Sequence, residues 1–460
     1  MDGLAATTTN PNFSMEGGTA DAYDRLTPIQ WLICAVACLG FAFDLYESLM
    51  LPLIVRPALT ALGHLRPGTA AFNLWVGLMF FVPNISGGVF GLLGGYFTDR
   101  FGRRRILVWS ILLYSISACA SSYSTSLPQL LVLRCTTMIG ISVEFVAAIT
   151  WLAELFSNAK RRESVLGSTQ AFHTLGGLMV TGAYYLAVTY GERFPEIRGG
   201  HEAWRYTLLS GLIPAIPLLL IRPFLPESPV WQQRRAMGEL KRPRLTELFR
   251  PALRKTTLMT TLLVACSFAL PFGAIQHTVR MVPGLPEVRN LAPRQVEQIA
   301  SRVQMFQELG GVTGRVLFAL LVVRTITQRR RMQVFLGPAL FVFPALYFFA
   351  ATHSVGLLEF GIFVATLLFN GLHSFWGNYL PRVYPMHLRG TGESFAVNIG
   401  GRVIGVTAAL ITTTLSNVMP GAGSAARLAY SAGVVAVLAC VIGLVGSSWL
   451  PEPHGKQLPD

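Results

Sequence analysis

Charged residues are scarce in this chain. Of its 460 residues, 13% are charged and 52% are hydrophobic, whereas a soluble globular protein carries about 25% charged residues. So little charge excludes an ordinary soluble protein. The composition instead indicates an integral membrane protein with many spans, whose expected surroundings are a lipid bilayer.

Cysteine is also rare, and its positions exclude a disulfide framework. All 6 cysteines fall inside apolar runs, where a free thiol packs as a small hydrophobic side chain. The sequence has no nucleotide-binding loop, metal-ligand cluster or nucleophile elbow, so we predict no enzyme activity, no cofactor and no metal site. Residues 1–28 are polar and lack the basic start of a cleavable signal peptide.

Acidic residues are outnumbered by basic ones. There are 23 Asp and Glu against 37 Lys and Arg, a net charge of +14. In a soluble chain this excess would suggest a nucleic-acid partner. Here the cations concentrate in short loops between apolar runs, which the positive-inside rule explains better. We therefore expect no nucleic-acid partner.

Apolar runs are what the chain has in abundance. Most are about twenty residues long, the length that a helix needs to cross a bilayer core of ~30 Å. We predict twelve spans, at residues 29–55, 72–97, 106–123, 128–153, 164–189, 204–224, 256–280, 303–323, 333–351, 355–380, 391–416 and 427–450. An even number of spans puts both termini on one side, and the arginine-rich loops place that side in the cytoplasm. We expect the protein in the cell inner (plasma) membrane.

The turn between the second and third spans carries the most specific pattern. It reads GYFTDRFGRRR at 95–105, and resembles the signature loop G-x-x-x-D-R-x-G-R-R of the major facilitator superfamily of transporters. An ordinary charged turn would explain the arginines but not Asp99 and Gly102 at these spacings. The residues that match are Gly95, Asp99, Arg100, Gly102, Arg103 and Arg104.

The two halves of the chain repeat. WLAELFSNAKRRESVLG at 151–167 resembles YLPRVYPMHLRGTGESF at 379–395, and LPESP at 225–229 recurs as LPEP at 450–453. In this superfamily such a repeat implies two pseudo-symmetric bundles of six helices with the substrate site between them near the midplane. We therefore predict an all-α membrane protein. Its parts are a leader (1–28), a first bundle (29–224), a cytoplasmic central loop (225–255), a second bundle (256–450) and a cytoplasmic tail (451–460).

The resemblance also implies a cytoplasmic gate. In the superfamily the signature loop belongs to a charge network that latches the outward-open state. Glu154 and Arg161 match that network in the first half, and Arg389 occupies the position of Arg161 in the second half. The latch of the second half is weaker, because Val323 and Arg382 stand where acids would be expected.

Charges inside a span are costly, so each one is a functional candidate. Span 1 holds Asp44 and Glu47 on one helical face, with Tyr46 between them. At 1.5 Å per residue, these acids lie roughly 22 and 27 Å above the cytoplasmic end, and Arg134 on span 4 lies roughly 30 Å above its own. These heights favour an ion pair of Arg134 with Glu47. Such a pair is either a proton-coupling switch, with Asp44 as its neighbour, or a permanent lock between two helices.

Arg402 on span 11 is a second isolated cation, roughly 16 Å above the cytoplasmic end of its span. An unpaired arginine there suits a carboxylate, which its planar fork binds with two hydrogen bonds. The alternative is a bond to backbone carbonyls or to Glu359. Glu144 on span 4 is a candidate partner of Arg315 or a gate residue.

Several uncharged or aromatic side chains on the helices expected to line the cavity complete the candidate substrate site. Each alone is a weak signal, because a buried histidine or amide is more often simply hydrogen-bonded. They are Phe172, Gln276, His277, Asn370, His373 and Asn398. Tyr46 and Arg134 are further candidate substrate contacts.

Other segments resemble the metabolite-carrying branches of the superfamily, including aromatic-acid symporters and niacin-like and organic-ion carriers. RCTTMIGISVEF at 134–145 and PESPVW at 226–231 are among them. The aromatic-acid symporters carry D-G-x-D on span 1, with acids implicated in proton coupling. Here the stretch is D-L-Y-E at 44–47, which keeps both acids but not the glycine. In the organic-ion branch a basic residue on span 11 goes with anionic substrates, and Arg402 is similar.

We therefore predict a monomeric secondary transporter that takes up a small organic anion, a monocarboxylate or aromatic acid, together with protons. One alternative is a carrier of organic cations or drugs, in which Asp44 and Glu47 bind the cation. A third interpretation is a transporter-like sensor without flux, which a large soluble domain would favour. The longest loop is only the ~30-residue central segment by hydropathy.

Overall fold

The computed structural model of the protein describes residues 27–156, 165, 172–237, 245–322, 327–385 and 388–451. This part of the chain is almost entirely helical. We number its longer helices in chain order. They are α1 Pro28–Gly63, α2 Ala70–Phe101, α3 Arg103–Ser122, α4 Leu127–Leu155, α5 Leu175–Tyr190, α6 Ala203–Ser210, α7 Leu212–Ile221, α8 Pro229–Ala236, α9 Pro251–Gly273, α10 Pro293–Val322, α11 Gln328–Pro344, α12 Val355–Val383, α13 Arg389–Phe395, α14 Thr407–Leu415 and α15 Ser424–Ser447.

Capping residues set the starts of several helices. At α1 the Thr27 hydroxyl accepts a hydrogen bond from the backbone N–H of Gln30, and the Gln30 side chain accepts one from the backbone N–H of Thr27. Pro28, in the first turn, needs no partner for a backbone N–H. Ser126 and Ser354 cap α4 and α12 by a single bond each, in which the serine hydroxyl accepts from a backbone N–H of the first turn. These caps satisfy backbone donors that would otherwise be orphaned.

Gly102 separates α2 from α3 in the signature turn. Its φ of 97° lies in a region that residues with a Cβ rarely adopt. Its N–H donates to the Thr98 carbonyl at 3.1 Å and so closes the last turn of α2. The glycine at this position of the signature is therefore a backbone requirement.

Ten helices of the described chain are long and apolar enough to cross a membrane. Two of the predicted spans have no counterpart among them. α5 is described over only 16 residues. α10 is a 30-residue helix, but it carries amide and charged side chains along one face, among them Glu308 and Arg315. The predicted total of twelve is therefore matched in part.

The helices pack closely within each half of the chain, and the halves meet along two lines. α2 packs against α4 in the first half, and α10 packs against α12 in the second. Between the halves, α2 packs against α14 and residues 396–405, and α5 packs against α10. Two of the charged side chains discussed below lie at these lines: Arg402 contacts α2, and Glu308 of α10 contacts α5.

Residues 396–405 form a π-helical segment between α13 and α14. The wider turn brings the Val406 N–H onto the Gly401 carbonyl, five residues back, at 3.1 Å. Gly400 and Gly405 lie directly against the backbone of α9. π turns are rare, and they frequently occur at functional sites.

Two ends of the molecule can be distinguished. We call the end that holds Gly102 and residues 225–237 and 245–250 the basic end. The end that holds residues 64–69 and 417–423 is called the opposite end. Gly68 there lies against Ser424 at the start of α15.

Replacing Gly102 by alanine should lower the unfolding temperature of the protein. The alanine would be held at an unfavourable backbone φ, and its Cβ would meet Glu227 and Trp231. We expect this strain to cost about 1–3 kcal/mol. Gly337→Ala is the matched control, since no atom lies within 4 Å of its added Cβ. Differential scanning fluorimetry of both purified variants checks this, and equal unfolding temperatures would contradict it.

Candidate functional site

One deeply buried charged cluster joins α1, α4 and residues 222–224 after α7. Arg222 Nη1 donates to Glu144 Oε1 at 2.5 Å, with side-chain exposures of 3% and 1%. Asp44 lies beside this pair and interacts electrostatically with both groups. Neither Asp44 carboxylate oxygen has a hydrogen-bond donor among the described residues. Two neighbouring carboxyl groups therefore lie beside one arginine, which within the described chain is hydrogen-bonded only to Glu144.

Glu144 is thus paired differently from the sequence-based expectation. The sequence suggests Arg315 as the partner of Glu144, but in the structure Glu144 is ion-paired with Arg222. The sequence did not predict a role for Arg222, and it did not predict the approach of Asp44 to Glu144. Gly40 on α1 makes this approach possible, because a Cβ there would collide with the Arg222 guanidinium and the Glu144 carboxylate.

Glu47 and Arg134 form a second buried pair, which the helix heights favoured. Arg134 Nη2 donates to the backbone carbonyl of Glu47 at 2.8 Å. Arg134 Nη1 lies 3.6 Å from Glu47 Oε2, which is longer than a hydrogen bond. No donor in the described chain reaches either Glu47 carboxylate oxygen. The pair is loosely engaged, and its role in coupling stays a prediction.

Tyr46 is hydrogen-bonded to α6 rather than to either acid. Its hydroxyl lies 2.6 Å from Ser210 Oγ at the end of α6, and its ring is buried. One residue later, Gly211 leaves room for the Glu47 carboxylate against α7. Tyr46 therefore fixes α1 against α6, and its predicted contact with the substrate stays a prediction.

Arg402 projects from the π-helical segment toward α2. Its guanidinium contacts Gly87 closely, and its Cβ lies against Gly88. Nη1 is buried and has no hydrogen-bond partner in the described ranges. The Arg402 charge interacts with that of Asp44 across the interface between the halves. The other acid considered for Arg402, Glu359, pairs instead with Arg302 at 2.5 Å.

Two further candidates are partly engaged: Asn398 lies on the same π-helical segment as Arg402, and Asn370 lies on α12 and faces α10. Asn398 Nδ2 donates to the Ser394 carbonyl at 3.0 Å, and its Oδ1 lies against Gly91 of α2. Asn370 Nδ2 donates to the Thr366 carbonyl at 3.2 Å, beside Gly311 of α10. Both stand at contacts between helices.

His373 is packed between aromatic rings. Its ring centroid lies 5.5 Å from that of Phe268 and 5.7 Å from that of Phe369. Its Nδ1 has no partner in the part of the chain described. Phe172, in contrast, is 48% exposed, so it contributes little enclosed surface to a site.

Gln276 and His277 lie at the opposite end. His277 Nδ1 is 3.1 Å from Arg280 Nη1, and Arg280 Nη2 donates to Asn73 Oδ1 at 3.3 Å. Asn73 Nδ2 in turn donates to Asn417 Oδ1 at 2.8 Å. These bonds connect α2, residues 275–280 and the end of α14. The predicted contact of Gln276 and His277 with the substrate stays a prediction.

The signature turn at the basic end is held by residues 225–227. The Glu227 carboxylate accepts from the backbone N–H groups of Arg103 and Arg104, at 3.1 and 3.2 Å. Arg103 Nη2 also donates to Glu154 Oε1 at 2.8 Å. A carboxylate at a helix start offsets both the free N–H groups and the positive end of the helix dipole. Glu154 was expected here from the sequence, whereas Glu227 was not, although it lies in the PESP segment that resembles the superfamily.

The remaining signature residues are described to different extents. Arg100 donates to the Tyr96 hydroxyl at 2.8 Å on the surface. Gly95 is a partly buried residue of α2. The side chains of Asp99 and Arg389 and the whole of Arg161 lie outside the described residues. Their predicted role in a gate stays a prediction.

Comparison with known proteins gives a family and several relatives. The sequence model described as Major Facilitator Superfamily matches residues 32–409. The sialic acid transporter NanX of Escherichia coli is 25% identical over 86% of this chain and 89% of its own length. A probable 4-methylmuconolactone transporter of Cupriavidus pinatubonensis is 24% identical, over 90% and 89%.

Among solved structures, a D-xylose-proton symporter superposes with a TM-score of 0.72. It is 20% identical to this chain, and the match covers 93% of this chain and 99% of the symporter. At that identity the likeness concerns the fold. The charged clusters described above must therefore be interpreted from this chain's own residues.

Removing the carboxylate of Glu227 should destabilise the basic end. Glu227→Ala leaves the first N–H groups of α3 without their acceptor, which costs about 0.5–2 kcal/mol. Glu227→Gln keeps an acceptor but not the charge, so its unfolding temperature should lie between those of the wild type and the alanine variant. Gln232→Ala, at an exposed position of α8, is the control. An unchanged unfolding temperature for Glu227→Ala would rule out this capping role.

Proposed function

Because the chain belongs to the Major Facilitator Superfamily, we propose that it is a proton-coupled symporter of a small organic carboxylate. The family and the relatives are membrane transporters rather than enzymes. The name of NanX refers to sialic acid, which supports an organic carboxylate as substrate. The name of the D-xylose-proton symporter refers to proton symport, which supports proton coupling. The substrate anion and the proton are the two partners that this function requires.

One observation carries the proposal: the Nη1 atom of Arg402 is buried without a hydrogen-bond acceptor among the described residues, and the Arg402 charge interacts with that of Asp44, an acid that lacks a donor. A guanidinium in that state has an N–H group free to bind a carboxylate. It also lies at the line where α2 meets residues 396–405. Substrate sites of this superfamily's fold lie between the halves near the midplane.

The charges around Arg402 explain why a proton should accompany the anion. Arg222 and Arg402 carry two positive charges, and Asp44 and Glu144 carry two negative charges when both are ionised. The cluster is then neutral. A bound substrate carboxylate adds one negative charge, and one proton on Asp44 or Glu144 removes it. An uncompensated charge in a low-dielectric interior costs several kcal/mol, so anion and proton bind together with a ratio of one to one.

Glu47 and Arg134 provide a second coupling element in this proposal. Their charges cancel, and their contact is longer than a hydrogen bond. Protonation of Glu47 would leave Arg134 with only its bond to the Glu47 backbone carbonyl, so the connection between α1 and α4 would weaken. That change is a means by which proton binding can bias the rocking of the two halves.

The membrane arrangement follows from the same reasoning. We infer twelve spans in two bundles, 29–224 and 256–450, with α5 and α10 added to the ten candidate spans. The basic end then faces the cytoplasm together with both termini, because the positive-inside rule places arginine-rich loops there. The protein acts as a monomer in the inner membrane, since each substrate site lies within one chain.

The carrier of organic cations has less support from the charges. A cation would have to displace Arg222 or Arg402 from Asp44, or Arg134 from Glu47. In either case it would add a positive charge to a cluster that is already neutral. An anion meets the opposite situation, because a free guanidinium is available to it.

Replacing Arg402 by alanine should weaken the binding of small carboxylates by roughly tenfold to a hundredfold, the contribution of a charge-assisted hydrogen bond or two. Binding is measured as thermal stabilisation of purified protein over a panel of carboxylates, sugars and organic cations. Arg330→Ala, exposed at the basic end, should leave it unchanged. Carboxylate affinity that survives in Arg402→Ala would sink the assignment.

Replacing Asp44 by asparagine should separate transport from the proton gradient. In the wild type, carboxylate binding should strengthen as the pH falls, because the cluster must take up a proton. With Asp44→Asn the bound substrate already balances the charge, so binding should become less dependent on pH. Accumulation driven by a pH gradient in proteoliposomes should be lost while substrate exchange continues.

The matched control is Glu192→Gln, an acid on the surface at the opposite end. Glu144→Gln should act like Asp44→Asn, because either acid can supply the shared proton. If both variants still accumulate substrate against its gradient, the coupling proton binds elsewhere, and Glu47→Gln becomes the next variant to test.

A further inference from the structure

α10 carries a buried polar cluster that the charge balance around Arg402 does not use. Gln304, Glu308, Gly311 and Arg315 follow one another at spacings of four, three and four residues, so they lie on one face of the helix. Gln307 adjoins them. The exposed fractions of Gln304, Gln307 and Glu308 are 0%, 4% and 6%. A helix that crosses a membrane bears such a face at a considerable cost.

The hydrogen bonds within this cluster leave the acceptors of both glutamines free, and Arg315 Nε also has no partner among the described residues. Gln304 Nε2 and Gln307 Nε2 both donate to Glu308 Oε1, at 2.9 and 3.0 Å. The side-chain carbonyl oxygens of the two glutamines are buried, and no donor in the described part of the chain reaches them. Buried polar atoms in native proteins normally have partners. Two orphaned carbonyls beside a carboxylate therefore indicate a missing hydrogen-bond donor.

The position of the cluster suits a ligand that bridges the two halves. Glu308 lies against Gly177 of α5, where a Cβ would collide with the carboxylate. Along α10, Glu308 interacts electrostatically with Arg315. Arg315 is also close to His173 and His373, and His173 is close to Arg402. Arg315, His173 and His373 thus lie within electrostatic range of one another, between the acceptor cluster and the guanidinium of Arg402.

We propose that Gln304, Gln307 and Glu308 bind hydroxyl groups of the transported molecule. The substrate class is then a hydroxylated organic carboxylate, with its carboxylate at Arg402 and its hydroxyl groups at α10. This assignment rests on the proposed function, and it adds the part of the substrate that the Arg402 site leaves undefined. Hydroxyl groups suit orphaned carbonyls because each brings a donor without adding a charge.

The surroundings favour a hydroxyl group over an ammonium group. Glu308 is balanced by Arg315, and two histidines lie near the same arginine. An ammonium group would add a positive charge beside these groups. A sodium ion would do the same, although its preference for oxygen ligands makes it the competitor to exclude by experiment.

The test compares pairs of carboxylates that differ by one hydroxyl group, for example 3-phenylpropionate and 3-(3-hydroxyphenyl)propionate, together with neutral polyols. Affinities are measured on the purified full-length protein by thermal stabilisation and calorimetry, in sodium-containing and sodium-free buffer. The wild type should bind the hydroxylated member of at least one pair about tenfold to a hundredfold more tightly. Glu308→Gln should lose most of that preference and keep the affinity for the plain carboxylate.

A second pair of variants tests the geometry without changing a polar group. Gly177→Ala places a methyl group against the Glu308 carboxylate, whereas Gly182→Ala on the same helix meets no atom within 4 Å. Gly177→Ala should reduce the preference for the hydroxylated member, and Gly182→Ala should not. This comparison remains informative if Glu308→Gln fails to fold.

The outcomes separate this inference from the proposed function. Equal affinities within every pair, or a preference that Glu308→Gln retains, would overturn the role of the cluster and leave carboxylate transport standing. Stabilisation by sodium that requires Glu308 would also overturn it, in favour of a cation site. Binding of neutral polyols that depends on Glu308, with no carboxylate binding, would support the cluster and overturn the proposed function.

Discussion

The neutralisation of buried charge is the constraint on which the rest of this structure depends. An ionised side chain inside the bilayer is tolerated only where an opposite charge or several hydrogen bonds reach it. Arg222 meets Glu144 at 2.5 Å, and Arg134 meets Glu47 at 3.6 Å. Because these partners come from different helices, the charges determine which helices must touch.

Glycines make these contacts possible. A carboxylate can enter a helix–helix contact only where the facing helix has no side chain. Each such acid lies against a glycine on another helix, and the pairs are Glu47 with Gly211, Glu144 with Gly40, and Glu308 with Gly177. The same holds for Arg402 against Gly87. The small residues of these helices thus serve the charges as much as the close approach of the helices.

One ion pair of the site could be predicted from the sequence, but not all of the residues that form the site. Glu47 and Arg134 could be paired because helix rise converts residue number into height. A role for Arg222 was not predicted, because hydropathy assigns a cation at the end of a span to the adjoining loop. Glu308 escaped because the amphipathic face of α10 lowers its apolar signal, and its significance depends on the contact with Gly177 across the interface.

His277 shows what the sequence leaves undetermined. Its place on a helix expected to line the cavity suggested a contact with the substrate, but position along a helix does not give the rotation of a side chain or reveal a break in the helix. α9 ends at Gly273, and the short turn at 275–280 directs His277 toward Arg280 and α2. The fold class was accessible because hydrophobic length is a property of sequence alone. The rotation of each span depends on contacts with its neighbours.

The π turn beneath Arg402 has a consequence for how the site can change shape. A π turn holds one residue more than an α turn, so it amounts to an inserted residue stored within a continuous helix. If the extra residue moved past position 402, the side chains in between would rotate by about 100°, the angle per residue of an α-helix. The guanidinium could then leave α2 without the helix bending or its ends moving. Sequence alignments of this segment should accordingly show a one-residue gap wherever a relative has a regular helix.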